Sequence, residues 1–511
     1  LSESTLIIVP LVRADPPLVG QVEEVARAGA SAVELRVDLI RDIESVSDFL
    51  AAGPELPTIL TVRSEDEGGE RLGDSQERIA LAARLGRLNP TYIDVELATW
   101  EGSEEVRRRM DALCASDENT GRPTLILSHH DLRRTPNKLG DTFDRLAASP
   151  AGVIKAVFTP RDALDSCRVL AELRRLGCGR RVIALALGEA GLLTRVLGRK
   201  FGAWATFAAG ERGGESAAGQ PTITELRDLF GWVGIDADTR AYGVIGWPVT
   251  HSLSPRFHNE YMRGAGINGV YSPTPITPTY AAFAAFMDYT VANPWLDFHG
   301  FSVTIPHKQH ALRWLSETGG TISEVARRCG AVNTLIRNDN GKWRGENTDA
   351  AGVVRALSSV TDIREKGLGA FSVDVLGAGG AARAAVAVLV EHGGRVTIHN
   401  RDEERARELA RQFGCESATW EQRVRGAGDI LVNCTSVGMA PDVDRSPMPA
   451  ERFTSGPIVF DTIYNPAETR LLREARERGC RTISGMDMFA AQANEQISLW
   501  HGSSGRTPCR P

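Results

Sequence analysis

Hydrophobic residues in the first part of the chain come in short continuous runs, each followed by a segment whose apolar positions recur three and four apart. The runs are LIIVPLV from Leu6, AVELRVDL from Ala32, TILTVR from Thr58 and TYIDVEL from Thr91, then TLILSHH from Thr124, GVIKAVF from Gly152, RVIALAL from Arg181 and AWATFAA from Ala203. Continuous apolar runs of this length suit parallel strands buried on both faces. The stretches between them, such as VGQVEEVARAGA and DALDSCRVLAELRRLG, read as amphipathic helices. Eight β-α units within residues 1–230 fit a (β/α)8 TIM barrel, for which roughly 250 residues is typical. An open doubly wound sheet is the alternative, although eight repeats are many for it.

The pattern changes between Gly219 and Pro255. TITELRDLF reads as a helix, residues 231–240 as a Gly/Asp-rich linker of roughly 30 Å at full extension, and AYGVIGW from Ala241 as a new strand. Strand and helix signals then alternate through PRFHNEYMRGAG, VYSPTPI, LDFHGFSVTIPHK, AVNTLIR and ENTDAAGVVRAL, so residues 241–350 form an α/β domain. A second α/β domain is expected over 351–485. Residues 486–500 read as a helix returning to the preceding domain, and 501–511 as a disordered tail.

Composition narrows the class. A chain of 511 residues exceeds what one core usually serves, and 42% hydrophobic with 24% charged residues is ordinary for a globular protein. The net charge of −6 gives no reason to expect nucleic acid, and no apolar run is long enough for a membrane span. Cys114, Cys167, Cys178, Cys329, Cys415, Cys434, Cys480 and Cys509 include no C-x-x-C pair, which points to free thiols in a reducing compartment. LSESTLIIVPLV lacks a basic n-region, so a cytoplasmic location is expected, or the plastid stroma if a transit peptide has been removed upstream of Leu1. Oligomeric state is not legible, and a monomer is compatible with the sequence.

Polar anomalies gather on the barrel strands: Glu34, Arg36, Arg63, Asp94, Glu96, His129, His130 and Lys155. In a barrel the active site lies at the C-terminal strand ends. Lys155 sits among Val153, Ile154, Ala156 and Val157; burial and nearby arginines would favour its neutral, nucleophilic amine. The alternative is a lysine snorkelling out at a strand end. ELRVD from Glu34, TVRSEDEGG from Thr61, SHHD from Ser128, GVIKAVFTP, and ATFAAGERGGESAAGQPTITELR from Ala205 together resemble type I 3-dehydroquinate dehydratase over residues 1–230. The resemblance implies that Lys155 forms an iminium with the substrate ketone, that His130 is the base, and that Glu67 orients the histidine and raises its pKa. It further implies that Arg195, Ser216 and Gln220 grip the carboxylate and close the lid, and that Glu34, Arg36 and Arg63 contact ring hydroxyls. Asp94 and Glu96 read as a structural pair. No metal-ligand spacing occurs in this half, and no metal is expected.

FSVDVLGAGGAARAAVAVLVEHGGRVTIHNR, from Phe371, has the strand–turn–helix–strand order of a Rossmann dinucleotide site. The turn Gly377, Ala378, Gly379, Gly380, Ala381 lets backbone N–H groups approach a pyrophosphate. At the end of the second strand, Asn400 and Arg401 with Arg405 suit the 2′-phosphate of NADP; Asp402 would favour NAD if its carboxylate pointed inward. HSLSP from His251, GFSVTIPHK, GAVNT, GENTDAAG, NCTSVGM, DTIYNPAETRLL and SGMDMFAAQANEQ resemble shikimate dehydrogenase over residues 241–500. This resemblance implies that Ser252 and Ser254 bind a carboxylate and that Lys308 and Asp349 are catalytic. It also implies site roles for Thr304, Asn333, Thr435, Tyr464, Gly485 and Gln492. Gln496, four residues after Gln492, shares its helix face. Ser302-Val303-Thr304 is the form familiar from fused plant enzymes, and Asp402 stands where that family usually has threonine.

Together the two resemblances imply a bifunctional enzyme. It would dehydrate 3-dehydroquinate to 3-dehydroshikimate through a lysine Schiff base and reduce that product to shikimate with NADPH. The alternative is a second half acting on quinate, or on both quinate and shikimate, with NAD.

Overall fold

The computed structural model describes residues 5–70, 73–115, 121–249, 252–425, 428–453 and 456–502. His251 of the HSLSP motif and most of the expected tail lie outside the described residues. Two compact units are present, Leu1–Tyr242 with Met262–Thr277, and Gly243–Tyr261 with Pro278–Pro511.

The first unit is built on eight strands: β1 (Leu6–Leu11), β2 (Ala32–Arg36), β3 (Thr58–Thr61), β4 (Tyr92–Glu96), β5 (Thr124–Asp131), β6 (Val153–Phe158), β7 (Arg181–Ala186) and β8 (Ala205–Phe207). Each pairs in parallel with its sequence neighbour from β1 to β7, and β8 pairs with β1. Trp204 closes the ring: its N–H donates to Val182 O beside β7 and its carbonyl accepts from Leu6 N–H, both at 2.9 Å. Side chains alternate along a strand, so every second residue points inward. Ile8, Ala32, Ile59, Tyr92, Ile126, Val153, Ile183 and Ala205, one from each strand, form an apolar layer. The helices Leu18–Ala28 and Ala163–Gly177 fall on the two amphipathic segments read from the sequence.

The TITELRDLF segment departs from an α-helix. Its centre is a wide helical turn, Glu225–Leu229, in which Phe230 N–H bonds to Glu225 O five residues back. Nor is the segment after it a free tether. Trp232 is 1% exposed and its indole N–H donates to Arg195 O at 3.0 Å. Arg199 Nε and Lys200 Nζ bond to the carbonyls of Ile235 and Ala237, each at 2.7 Å. An aromatic residue in a Gly/Asp-rich run buries itself where it finds an apolar wall, which a contour-length estimate does not capture.

In the second unit, Phe298–Val303 pairs antiparallel with Thr334–Arg337, which pairs antiparallel with Trp343–Glu346; that strand pairs in parallel with Thr321–Ile322. A separate all-parallel sheet has the spatial order Glu416–Thr419, Arg395–Asn400, Ser372–Leu376, Ile430–Asn433, Ile458–Asp461, Arg481–Ile483. In sequence terms this is 3-2-1-4-5-6, the doubly wound order whose ligand crevice opens where the winding reverses, beyond Leu376 and Asn433. Helix Gly485–His501 packs on helix Thr348–Ser358, where Gly352 admits Met488 and Gln492.

Candidate active sites

Two residues beyond the apolar layer of the barrel come Glu34, Thr61, Asp94, Ser128 and Lys155, all buried. A charged group at that depth needs partners. Lys155 Nζ lies 3.2 Å from Asp94 Oδ2 and 3.4 Å from Glu34 Oε1, and 4.6 Å from the centre of the Phe207 ring. Both carboxylates are held in turn. Thr61 Oγ1 donates to Glu34 Oε1 at 2.8 Å. Ser128 Oγ donates to Asp94 Oδ1 at 2.6 Å and accepts from Arg63 Nη1 at 2.7 Å, while Arg63 Nη2 sits 3.0 Å from Asp94 Oδ2. Burial would raise the Asp94 carboxyl, but Arg63 and Lys155 outweigh it and hold it at about 2. Expected beside arginines, the lysine amine has carboxylates as its direct partners. Asp94, read as half of a structural pair with Glu96, is the missed member of this cluster; its position two residues after the inward Tyr92 was the available signal. Glu96 remains structural, accepting Ser64 N–H at 2.8 Å and facing Arg63 Nη1 at 3.5 Å.

Period two also separates the adjacent histidines. Ser128 is the strand partner of Lys155 and His130 that of Val157, so His130 shares the inward face and His129 does not. His129 instead tilts against Phe158 at 5.9 Å. Glu67 ends the turn Glu65–Glu67; its Oε2 accepts His130 N–H at 3.0 Å and lies 2.9 Å from Nδ1. Nδ1 is thereby engaged, and Nε2 is the nitrogen left for proton transfer. The expected rise of the His130 pKa is reversed. Burial, with Arg63, Lys155 and Arg36, pushes it well below the usual imidazole range, and burial pushes Glu67 up to about 8. Burial is the first cause at both groups, and at His130 the three cations add to it.

Arg36 makes a bidentate pair with Asp38 (3.0 and 2.7 Å), and Asp38 also accepts Arg63 N–H at 3.3 Å. Asp38 therefore sets both arginines, a role that ELRVD did not reveal. Arg195 is 2% exposed; its Nη1 donates to Phe207 O at 3.3 Å, and its Nε has no hydrogen-bond partner among the described residues. Burial pushes its guanidinium down to about 10. A buried cation of this kind suits an anionic ligand. Ser216 N–H and Oγ both donate to Gln220 Oε1 (3.0 and 3.4 Å), and Gly188 N–H bonds Ala218 O, tying the loop to the end of β7.

In the second unit, Lys308 opens helix Lys308–Thr318 and Asp349 lies in the first turn of helix Thr348–Ser358, whose positive end favours a carboxylate. Lys308 Nζ and Asp349 Oδ2 are 2.5 Å apart, with side chains 13% and 8% exposed. Asn333 Nδ2 donates to Asp349 Oδ1 at 2.8 Å, and its Oδ1 accepts Thr348 N–H at 2.7 Å. Gln496 Nε2 donates to Thr334 Oγ1 at 2.9 Å and its Oε1 accepts from Ser302 at 2.8 Å, bracing the strand that follows Asn333. Thr348 Oγ1 bonds to Gln492 Oε1 at 3.3 Å. Ser252 bonds to Tyr464, whose hydroxyl burial pushes up, and Ser252 Oγ accepts Ser254 N–H at 3.2 Å. Thr304 N–H bonds to Ile245 O at 2.8 Å.

The glycine turn meets this cluster. A Cβ on Gly380 would lie 2.8 Å from Lys308 Cδ, and one on Gly377, at φ +108°, would approach the Cys434 carbonyl at 3.1 Å and Thr435 Cγ2 at 3.3 Å. Gly379 faces open space, with nothing within 4 Å of its missing Cβ. The turn is thus a cradle kept clear of side chains at the start of helix Gly380–Glu391, which fits a dinucleotide pyrophosphate. Gly485 has another cause: a Cβ there would stand 2.2 Å from Ile463 O. Asp402 does not point inward. It caps helix Glu403–Phe413, its Oδ1 accepting Arg405 N–H at 3.2 Å.

Residues 7–237 match the family model for type I 3-dehydroquinase, 244–335 that for the shikimate dehydrogenase substrate-binding domain, and 361–437 that for shikimate/quinate 5-dehydrogenase. A bifunctional 3-dehydroquinate dehydratase/shikimate dehydrogenase of Arabidopsis thaliana, described as chloroplastic, is 35% identical over 493 residues, covering 93% of this chain and 78% of that protein. A shikimate dehydrogenase (NADP(+)) of Shouchella clausii is 38% identical over 276 residues, 53% of this chain and 96% of that protein. The corresponding enzyme of Oleidesulfovibrio alaskensis is 39% identical over 265 residues, 51% of this chain and 89% of that protein. One relative thus spans both units in the same order, and the chain belongs to the family of bifunctional 3-dehydroquinate dehydratase/shikimate dehydrogenases.

Proposed function

We propose that Lys155, His130 and Glu67 carry the dehydration of 3-dehydroquinate, and that Lys308 and Asp349 carry the reduction of 3-dehydroshikimate to shikimate with NADPH. The buried amine of Lys155, one strand from an inward histidine and held between the carboxylates of Glu34 and Asp94, is the observation on which the first reading rests. Nζ adds to the ketone carbon and water leaves, giving an iminium that draws electrons from the adjacent C–H. His130 Nε2 takes that proton and returns it to the departing hydroxyl. Hydrolysis of the iminium releases 3-dehydroshikimate and the free amine. Arg195 takes the substrate carboxylate with Ser216 and Gln220, while Glu34, Arg36 and Arg63 meet the ring hydroxyls.

In the second unit NADPH, when bound, supplies the hydride. Gly377, Ala378, Gly379, Gly380 and Ala381 would hold its pyrophosphate, Asn400, Arg401 and Arg405 its 2′-phosphate, and Thr435 and Gly485 would flank it. Lys308 donates a proton to the developing alkoxide and Asp349, held by Asn333, keeps the amine in place. Ser252, Ser254, Thr304, Tyr464, Gln492 and Gln496 line or brace the substrate pocket.

Two experiments test this. Borohydride reduction in the presence of 3-dehydroquinate should add covalent mass at Lys155; an active enzyme with no adduct there excludes the Schiff base. Steady-state rates with shikimate and quinate, each with NADP and NAD, should favour shikimate with NADP, and faster quinate turnover overturns that assignment.

A further inference from the structure

At the end of strand Arg395–Asn400, where the ribose end of a dinucleotide is read, five successive side chains are charged, Arg401 to Arg405; Glu403 and Glu404 pair with Arg407 and Arg411, which leaves Arg401, Asp402 and Arg405. They are not independent. Asp402 Oδ1 accepts Arg405 N–H at 3.2 Å as the helix N-cap, and Oδ2 lies 3.3 Å from Arg405 Nε. Asn400 Nδ2 donates to Asp402 O at 2.8 Å and holds the turn. One carboxylate therefore caps the helix and pins a guanidinium. Both of its oxygens are engaged, which removes the free pair of acceptors that an NAD site offers to ribose hydroxyls. At the same time the guanidinium that would clamp a phosphate already has a counter-ion, and a fixed negative charge stands beside it. Side-chain exposures of 53% for Asp402 and 75% for Arg405 leave both open to a ligand.

We propose that Asp402 is a specificity-determining residue of the nucleotide site, whose carboxylate holds Arg405 and opposes a 2′-phosphate, so that discrimination between NADPH and NADH is narrower than two arginines alone would set. This rests on the reading that NADPH is the cofactor. Asp402→Asn and Asp402→Thr both keep a side-chain oxygen for the helix cap and remove the charge, so loss of folding does not confound them. NADPH and NADH binding to the full chain would be followed by nicotinamide fluorescence and calorimetry without substrate. Both variants should bind NADPH about three- to five-fold more tightly, the range for one partly exposed charge, with NADH unchanged. Arg405→Met should weaken NADPH more in the Asp402→Asn background than in the native chain, because the arginine is then unpaired. Unchanged NADPH affinity in both variants, with the native chain still preferring NADPH, overturns this proposal and leaves the cofactor reading standing. NADH weakened about ten-fold or more with NADPH unchanged would mean that Asp402 bonds ribose hydroxyls, and both readings fall.

Discussion

Within each site the residues act as sets, and the sets predict how single changes behave. Ser128 joins Asp94 to Arg63 in the barrel, so Ser128→Ala leaves two buried charged groups each short of a hydrogen bond. We expect a loss of about 1–3 kcal/mol in stability, read by urea unfolding, together with slower borohydride trapping at Lys155 as Asp94 drifts from the amine. The Glu67–His130 pair sets the pH dependence. While Glu67 keeps its proton, Nδ1 of His130 is an acceptor and Nε2 carries hydrogen, so the ring cannot take a proton there. Loss of the Glu67 proton, at about 8, turns Nδ1 into a donor and frees Nε2. The kcat/KM for dehydration should therefore rise with pH through a limb near 8, with no acid limb at the ordinary imidazole value. Glu67→Gln, still an acceptor for Nδ1–H, should lower the rate and abolish that limb; its persistence would place the titration elsewhere. Residue types in the motifs identified Lys155, His130 and Glu67. The direction of the proton affinities of His130 and Glu67 depended first on burial and then on charges such as Arg63 that other segments bring to them.

At the scale of elements, two close contacts carry measurable cost. Gly485 begins the C-terminal helix where its missing Cβ would meet the Ile463 carbonyl at 2.2 Å. Because the obstacle is backbone, Gly485→Ala should destabilise the second unit by about 1–3 kcal/mol, seen as reductase activity lost at lower urea while dehydratase activity persists. Trp232 fills the first unit with the opposite logic. Trp232→Ala removes a fully buried indole and its bond to Arg195 O, which should cost about 3–5 kcal/mol and raise KM for 3-dehydroquinate through a displaced Arg195; unaltered stability would mean that the segment is not anchored there. The eight barrel strands were legible because each is a continuous apolar run. The turn at Glu225–Leu229 was not, since apolar spacing does not separate an α-helix from a wider turn whose ends are held by neighbours.

For the whole molecule, the division into two compact units places each catalytic set inside one unit. Lys308→Ala removes the proposed proton donor and leaves Asp349 its hydrogen bond from Asn333. Reduction of 3-dehydroshikimate should fall by about 10²–10⁴ while dehydration stays within two-fold; loss of both activities would show that the units are not independent. Amino-acid order alone determined the two-part α/β architecture, because runs of buried strands and a strand–turn–helix glycine motif are local patterns. An amine inside an apolar run made Lys155 a candidate without any partner in view, whereas Lys308 was singled out only through its motif. Only the tertiary structure decided what surrounds those groups. It put Glu34 and Asp94 on the Lys155 amine from strands far apart in sequence, turned His130 inward by register, folded residues 231–240 against the barrel, and engaged Asp402 with its own helix. Each of these depends on distance and burial between segments that the chain separates, and electrostatics and packing act through space.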